Sequence, residues 1–279
     1  MENDWLKFEK GERTRKNENG TEEEGIPLSI GTKAIGAVTV FVYELFGTAM
    51  LVFAVNMIAT KQPASSLWGI PLTLFGTLCW AGPITGGHMN PAVSLAVLIQ
   101  HIDKFTENII LFFVMVIAQF IGGMLGLGFF ISVVHGKDYL TTAGNIAQLS
   151  PQSNAIWTVT SGGAFQVELI CTYMFILTIM QHKSGRLQST LTTDGMLMKA
   201  TVALALMAAI LVGGGYTGGC FNPAVGNAQS VICSWELKTN CDDFYWVYTL
   251  APTLAGALAG ITALIMKPIG DNFTVKKGD

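Results

Sequence analysis

The chain contains 279 residues with a formal net charge of −3; 51% of them are hydrophobic, 13% are charged, and the mean hydropathy is +0.47. Soluble domains carry about 25% charged residues, so this composition is typical of a protein embedded in a lipid bilayer. The sequence contains no basic stripe with interleaved aromatic residues, which argues against a nucleic-acid partner. The five cysteines fit no zinc spacing, so neither a metal nor another cofactor is expected.

The N-terminal tail, residues 1–33, comes first. Its first 24 residues are strongly charged and contain no apolar core segment, so a cleavable signal peptide is not expected. Trp5, Leu6 and Phe8 lie among charges and predict a short interfacial or pore-capping helix. The acidic run at residues 22–24 predicts a solvated linker.

Six long apolar stretches follow, and each is near the ~20 residues that a membrane-spanning helix needs. They are residues 34–59, 67–85, 107–134, 162–181, 199–214 and 244–266. Two shorter apolar stretches, residues 90–100 and 222–233, are too short to cross a hydrocarbon core of ~30 Å. Because lipid offers no partners to exposed backbone groups, these two stretches are predicted to be re-entrant half-helices.

Both short stretches begin with the same tripeptide. The copies are Asn90-Pro91-Ala92 and Asn222-Pro223-Ala224, and a glycine pair precedes each of them. Asparagine accepts N–H groups of a helical first turn, and proline fits that turn without losing a hydrogen bond. A helix that starts inside a membrane points its positive dipole end into the bilayer interior. Two such starts in matching places predict a pore.

The two halves of the chain repeat three markers in the same order. Each half has a glutamate in its first span (Glu44 and Glu168), then an Asn-Pro-Ala half-helix, then a helix rich in glycine and alanine. With three spans per half, the second copy must be inverted, as in many transport proteins. The predicted organisation is a first repeat at residues 34–134, an extracellular connecting loop at 135–161, a second repeat at 162–267 and a C-terminal tail at 268–279.

The basic residues predict the orientation in the membrane, because positive flanks stay cytoplasmic. With the N-terminus inside, Lys61, Lys137 and Lys238 fall outside, and the other thirteen of the sixteen Lys and Arg residues fall inside. Both termini are therefore predicted to be cytoplasmic.

These motifs resemble the aquaporin (major intrinsic protein) family over residues 34–267. The resemblance implies an all-α membrane protein of six transmembrane helices and two re-entrant half-helices in an inverted repeat. It also implies a homotetramer with one pore per subunit, in the plasma membrane or an intracellular vacuolar membrane. In that pore Asn90 and Asn222 meet at mid-membrane, where their side-chain N–H groups face the permeant.

Several other residues carry alternative interpretations. Glu44 and Glu168 lie in apolar spans, where an ionisable group is costly. They are either proton relays or, as the family parallel favours, acceptors for the backbone N–H groups of the re-entrant loops. His88 is either a pH gate or a loop hydrogen-bonding residue. Cys220 is either a reactive pore thiol or an apolar filler.

Two further cysteines, Cys233 and Cys241, flank a predicted extracellular loop. They either pair in an oxidising compartment or stay free thiols.

The predicted selectivity filter departs from the family. Most aquaporins place arginine directly after the second Asn-Pro-Ala, and here that residue is Val225. The same comparison assigns Ile70, Ile210 and Gly219 to the other filter positions, so the filter has neither a charge nor an aromatic ring. Loss of a guanidinium removes bulk, hydrogen-bond donors and a fixed positive charge. The filter is therefore expected to be wide and apolar, to pass glycerol, urea or ammonia, and to be less hostile to cations.

The sequence thus predicts a passive channel for water and small neutral solutes. One alternative is a channel closed at rest and opened by the N-terminal tail or by a cytoplasmic loop, whose His182, Ser184 and Ser189 suggest phosphorylation beside basic residues. Alternatives of another class are a coupled secondary transporter and a mainly structural membrane protein. An enzyme is not expected, because the spans contain no nucleophile–base pair and no metal-ligand cluster, and hence no catalytic residue.

Overall fold

Two short strands and eight α-helices make up the described part of the computed structural model, residues 12–16, 22–27, 30–61, 63–134, 149–152, 156, 158–183, 195–232 and 244–273. The elements are β1 (Glu12–Lys16), β2 (Glu22–Pro27), α1 (Ile30–Lys61), α2 (Ser66–Thr85), α3 (Pro91–Gln100), α4 (Phe105–Val133), α5 (Ser161–Lys183), α6 (Gly195–Thr217), α7 (Pro223–Ile232) and α8 (Tyr245–Phe273). Short 3-10 turns, Pro63–Ser65 and Ile102–Lys104, precede α2 and α4.

Six segments are long and apolar enough to cross a membrane. They are Ala34–Ala59, Ser66–Thr85, Ile102–Val133, Ser161–Gln181, Gly195–Thr217 and Tyr245–Met266. The helices α3 and α7 have 10 residues each. At 1.5 Å per residue each is about 15 Å long, half of a hydrocarbon core. The all-α fold class with six transmembrane helices and two half-helices is confirmed.

Several helix ends differ from the prediction. α6 runs from Gly195 to Thr217 rather than over 199–214, and α8 continues to Phe273, past the predicted end at 266. α1 begins at Ile30, inside the predicted tail. Hydropathy marks only the part of a helix that lies in hydrocarbon, whereas the backbone hydrogen bonds continue into polar residues. The division of the chain into two repeats, a connecting loop and tails stays a prediction with these ends shifted.

A two-stranded antiparallel ribbon precedes the helices. β1 pairs with β2 in a register that sets Arg15 opposite Glu23 and Lys16 opposite Glu22. The acidic run at 22–24 therefore lies in a strand and not in the predicted linker. The helix expected around residues 5–8 lies outside the described residues.

Glycines allow the helices to approach one another closely. A Cβ atom on Gly122 or Gly126 of α4 would overlap the carbonyl oxygen of Leu45 or Ala49 on α1. A Cβ on Gly256 of α8 would likewise overlap the carbonyl oxygen of Ala92 on α3. The glycine-rich helices of both halves therefore pack closely against the backbones of their neighbouring helices.

Part of the predicted connecting loop packs against the bundle. Leu149 is buried in an apolar cluster with Val52 of α1 and Tyr248 of α8. The Gln152 backbone N–H donates to the carbonyl oxygen of Tyr216, near the end of α6, at 2.8 Å. Leu149 and Gln152 thus lie against the end of the bundle at which α6 ends.

Candidate pore

The two Asn-Pro-Ala triplets start α3 and α7 as capping chemistry predicts. Asn90 has an extended backbone, and its Oδ1 accepts the backbone N–H of Ala92 at 2.9 Å. Asn222 makes the same bond to Ala224, also at 2.9 Å. Each side-chain oxygen therefore satisfies an N–H group that the helix start would leave unpaired.

The side-chain nitrogens of the two asparagines bind across the two halves. Asn90 Nδ2 donates to the carbonyl oxygen of Phe221 at 2.9 Å, and Asn222 Nδ2 donates to that of Met89 at 2.8 Å. We call these two bonds the asparagine clasp. A side-chain amide has two N–H donors, so each asparagine keeps a second donor besides the one in the clasp.

The residues that accept these bonds have unusual backbones. Met89 and Phe221 have φ angles of 48° and 50°, in the left-handed region that bulky side chains rarely adopt. Both side chains are buried. Such strain persists only where the surroundings fix the backbone, and here the clasp holds the carbonyl while a glutamate holds the N–H.

Glu44 and Glu168 supply those acceptors. Glu44 accepts the backbone N–H groups of His88 at 3.0 Å and Met89 at 2.6 Å. Glu168 accepts those of Cys220 at 3.0 Å and Phe221 at 2.9 Å. Both carboxylates are fully buried, so bonds to the loops compensate part of their desolvation.

Two threonines complete these contacts and were missed in the sequence. Thr85 donates its hydroxyl to Glu44 at 2.6 Å and accepts the N–H of Gly87 at 3.1 Å. Thr217 bonds Glu168 and Gly219 at the same two distances. The sequence signal for these threonines was available, because a threonine stands five residues before the asparagine of each Asn-Pro-Ala triplet.

Within the residues that the structure describes, the first half contains a polar network that the second half lacks. Gln119 of α4 donates to Glu44 at 2.8 Å and to the Ser94 hydroxyl at 2.9 Å. The repeat places Pro252 at the position of Gln119, and a proline in a helix has no comparable side-chain donor. In the second half the hydroxyl of Tyr248 instead donates to the carbonyl oxygen of Thr217 at 2.8 Å.

His88 belongs to the polar network of the first half. Its Nδ1 lies 3.1 Å from the Ser94 hydroxyl, and only 4% of the residue is exposed. The ring lines a cavity of about 20 Å³ together with Asn108 and Met115, large enough for one water molecule. This placement fits the hydrogen-bonding interpretation of His88 better than the pH gate.

Cys220 occupies the equivalent position in the second half. It is 5% exposed, and its Sγ lies 3.0 Å from the carbonyl oxygen of Asn222 in a buried apolar cluster with Tyr248. These contacts favour the filler interpretation over a reactive pore thiol.

The residues predicted to form the filter pack in two clusters. Ile70 and Ile210 are half-buried and contact a cluster that contains Phe221. Gly219 is half-buried beside the Phe221 ring, whereas Val225 is 5% exposed and packs with Cys220 and Tyr248. The assignment of these four residues to one constriction stays a prediction.

The remaining candidate residues lie where the structure gives no side-chain description. These are His182, Ser184, Ser189, Cys233 and Cys241.

Comparison with known proteins decides the family. The sequence profile of the major intrinsic protein family matches residues 36–263 of the chain. The chain belongs to the major intrinsic protein family. Proteins of this family are channels and not enzymes. Membership of the family and the six apolar helices together identify this chain as an integral, multi-pass membrane protein.

Individual members of the family match most of the chain. Aquaporin-8 from Notomys alexis is 32% identical over 241 residues, which cover 84% of this chain and 83% of that protein. The glycerol uptake facilitator protein-like 6 from Lactiplantibacillus plantarum is 27% identical and covered over 97% of its length. The crystal structure of the aquaglyceroporin from Plasmodium falciparum superposes with a TM-score of 0.72 at 20% identity, covering 85% of this chain and 99% of that chain.

Proposed function

We propose that this major intrinsic protein is a passive channel through which water and small neutral solutes cross a lipid bilayer. The asparagine clasp is the observation that carries the proposal. It brings the starts of α3 and α7 together, so the positive ends of both half-helices meet inside the membrane. The relatives named aquaporins and glycerol uptake facilitator support the same class of permeant.

The chemistry of the meeting point suits single-file transport of neutral molecules. A water molecule that enters a narrow pore must replace its lost hydrogen bonds, and the second N–H of Asn90 and of Asn222 supplies donors there. Two positive helix ends at the same place repel cations. We therefore assign the pore midpoint to the two Asn-Pro-Ala triplets.

Glu44 and Glu168 are assigned as the residues that fix the re-entrant loops. Each carboxylate already accepts two backbone N–H groups and one threonine hydroxyl. A proton relay would require these oxygens to release their partners at each transfer. The bonds therefore support a structural role.

We further propose that Ile70, Ile210, Gly219 and Val225 form an apolar filter that passes solutes larger than water. Support comes from the position of Val225, three residues after Asn222 in the first turn of α7. Valine offers neither the charge nor the five donors of an arginine at this position.

The assembly and location of the protein are part of the proposal. The family resemblance supports a homotetramer, and the distribution of Lys and Arg supports cytoplasmic termini. The plasma membrane or a vacuolar membrane is the proposed location.

The alternatives receive no support. Ser184 and Ser189, on which gating by the cytoplasmic loop depends, lie outside the described residues. A coupled transporter needs ionisable groups that are free to bind an ion, and Glu44 and Glu168 are already engaged with the loops.

Permeability of purified protein tests the proposal. The tetrameric mass is first checked by native mass spectrometry, and stopped-flow light scattering on proteoliposomes then gives the rates for water, glycerol, urea and ammonia. We expect water flux well above that of empty liposomes, together with glycerol or urea flux. Absence of water flux would contradict the channel function, and water flux without any solute flux would contradict the wide filter.

Replacement of the filter valine separates charge from bulk. In Val225→Arg the guanidinium should lower glycerol and urea flux by about tenfold or more, since it narrows the opening and adds a strongly hydrated group. Val225→Met adds bulk without charge and should reduce solute flux less. Unchanged rates for every solute in Val225→Arg would show that Val225 does not line the filter.

A further inference from the structure

One face of α6 points into the helix bundle along most of its length. Its buried residues are Val202, Ala203, Leu206, Ala209, Gly213 and Thr217. From Ala203 onward they recur at intervals of three or four, the spacing of one helix face, and Val202 lies four residues before Leu206. Lys199 lies on this face, three residues before Val202 and eleven residues, or about three turns, before Ile210. The lysine is half-buried and lies at the end of this inward face.

The stem of Lys199 lies against the helix that leads into the first re-entrant loop. Its Cε is 3.5 Å from the place where a Cβ of Gly82 on α2 would be. Gly82 in turn lies 3.3 Å from the corresponding place on Gly87, which belongs to the loop before Asn90. Only one layer of residues therefore separates the lysine from the loop that forms the pore midpoint.

Two helix ends with opposite effects lie near the charge of Lys199. Lys199 is the fifth residue of α6, where the positive helix end disfavours its charge. The end of α2 at Thr85 is a negative helix end, and such an end favours a positive charge nearby. Within the described residues no carboxylate forms an ion pair with Lys199, so its charge is not neutralised there.

The position that the repeat relates to Lys199 has no charge. The offset of 132 residues that relates Asn90 to Asn222 relates Leu67 to Lys199 and Gly82 to Gly214. The inner mouth, defined as the end at which α2 ends and α6 begins, therefore carries a lysine where the opposite mouth carries a leucine. Val225 adds no charge at that opposite end either.

We propose that Lys199 is a charge-selectivity residue of the pore and that it repels cations at the inner mouth. Its fixed positive charge supplies a repulsion of cations at the inner mouth, and the apolar filter around Val225 has no charge that could supply it. The proposal rests on the channel function proposed above, since it assigns a residue that determines what the same pore excludes.

Charge variants in liposomes test this assignment. Water flux is measured by stopped-flow light scattering, and protein-mediated potassium leak is measured in parallel with an encapsulated potassium-sensitive dye. Lys199→Met removes the charge and keeps the length, and Lys199→Gln is a second neutral variant if the first does not assemble. Lys199→Arg keeps the charge. Lys104→Met, on the 3-10 turn Ile102–Lys104, removes a lysine that does not lie on the inward face of α6.

The neutral variants should keep water flux within about twofold and raise potassium leak by about fivefold, the Boltzmann factor for two unit charges a few ångström apart in water. Lys199→Arg and Lys104→Met should leak like the wild type. An unchanged leak in the neutral variants, or an equal rise in Lys104→Met, would overturn the proposal. Absence of water flux in the wild type would instead contradict the proposed channel function. Water flux and potassium leak are measured separately, so the two failures can be told apart.

Discussion

The buried glutamates show how single residues determine the shape of the re-entrant loops. Glu44 and Glu168 contact the two N–H groups before each asparagine, and these groups belong to loops whose backbones are strained at Met89 and Phe221. Without a negatively charged acceptor the loop amides would be buried without partners. The conformation that aims the Met89 and Phe221 carbonyl oxygens at the opposite asparagine therefore depends on the carboxylates.

Replacement of a carboxylate oxygen by an amide nitrogen should unfix the loop. In Glu44→Gln one acceptor becomes a donor that faces other donors, and a charge-assisted hydrogen bond is worth about 1.5–3 kcal/mol. We expect the free energy of unfolding to fall by about 3 kcal/mol or more, in an unfolding titration with SDS in mixed micelles.

The matched control is Glu107→Gln in the first turn of α4, whose side chain is exposed. It should change the free energy of unfolding by less than about 1 kcal/mol, since only a helix-end interaction is lost. Equal stability of Glu44→Gln and the wild type would contradict the loop-fixing role.

At the scale of the helices, close backbone approach determines where the half-helices sit. Gly122 and Gly126 let α4 rest on α1, and Gly256 lets α8 rest on α3. Gly123 also faces α7, with a Cβ position 3.0 Å from the carbonyl oxygen of Ala224. Close backbone contacts at these glycines thus determine the positions of the first residues of both half-helices.

A methyl group at one of these crossings should separate the helices. In Gly122→Ala the new Cβ meets the backbone carbonyl of Leu45, which cannot rotate away as a side chain can. Overpacking of this kind costs about 1–3 kcal/mol. Water flux should also fall, because Leu45 is the neighbour of Glu44 in α1.

Gly128→Ala on the same helix is the control, since no atom lies within 4 Å of its Cβ position. Its higher helix propensity should stabilise α4 by up to about 1 kcal/mol. Gly122→Ala with the stability and flux of Gly128→Ala would show that the α1–α4 crossing tolerates a wider spacing.

Half-helices were more predictable than ordinary spans. The starts of α3 and α7 were predicted within one residue because Asn-Pro carries its own capping chemistry. The start of α6 was missed by four residues, because Lys199 was taken as the boundary of an apolar stretch although it lies inside the helix. The network of Gln119, Ser94 and His88 was not predicted, since its members lie on separate elements and only packing brings them together.

For the whole molecule, the number of spans determines where the termini lie. The described residues contain six membrane-capable helices, and an even number of crossings returns the chain to its starting side. The excess of Lys and Arg near that side supports the proposal that both termini are cytoplasmic.

Epitope tags before Met1 and after Asp279 test this orientation in intact cells. Both tags should resist external protease and react with antibody only after permeabilisation of the membrane. A tag inserted in the predicted extracellular loop, between residues 140 and 141, should be accessible without permeabilisation. Accessibility of one terminal tag alone would mean an odd number of crossings, and the half-helix assignment would then be wrong.

The asparagine clasp also has a consequence for biosynthesis. Its bonds join residues 131 and 133 positions apart, so the first re-entrant loop leaves the ribosome long before its acceptor exists. At about 5–20 residues per second, the wait is on the order of 10 s. During that time the Asn90 amide must find a temporary partner in water, lipid headgroups or the insertion machinery, because an unpaired donor in hydrocarbon costs several kcal/mol. The asparagine clasp therefore forms only after the second Asn-Pro-Ala triplet has been synthesised. A nascent chain that stopped after its first half would remain an incomplete pore.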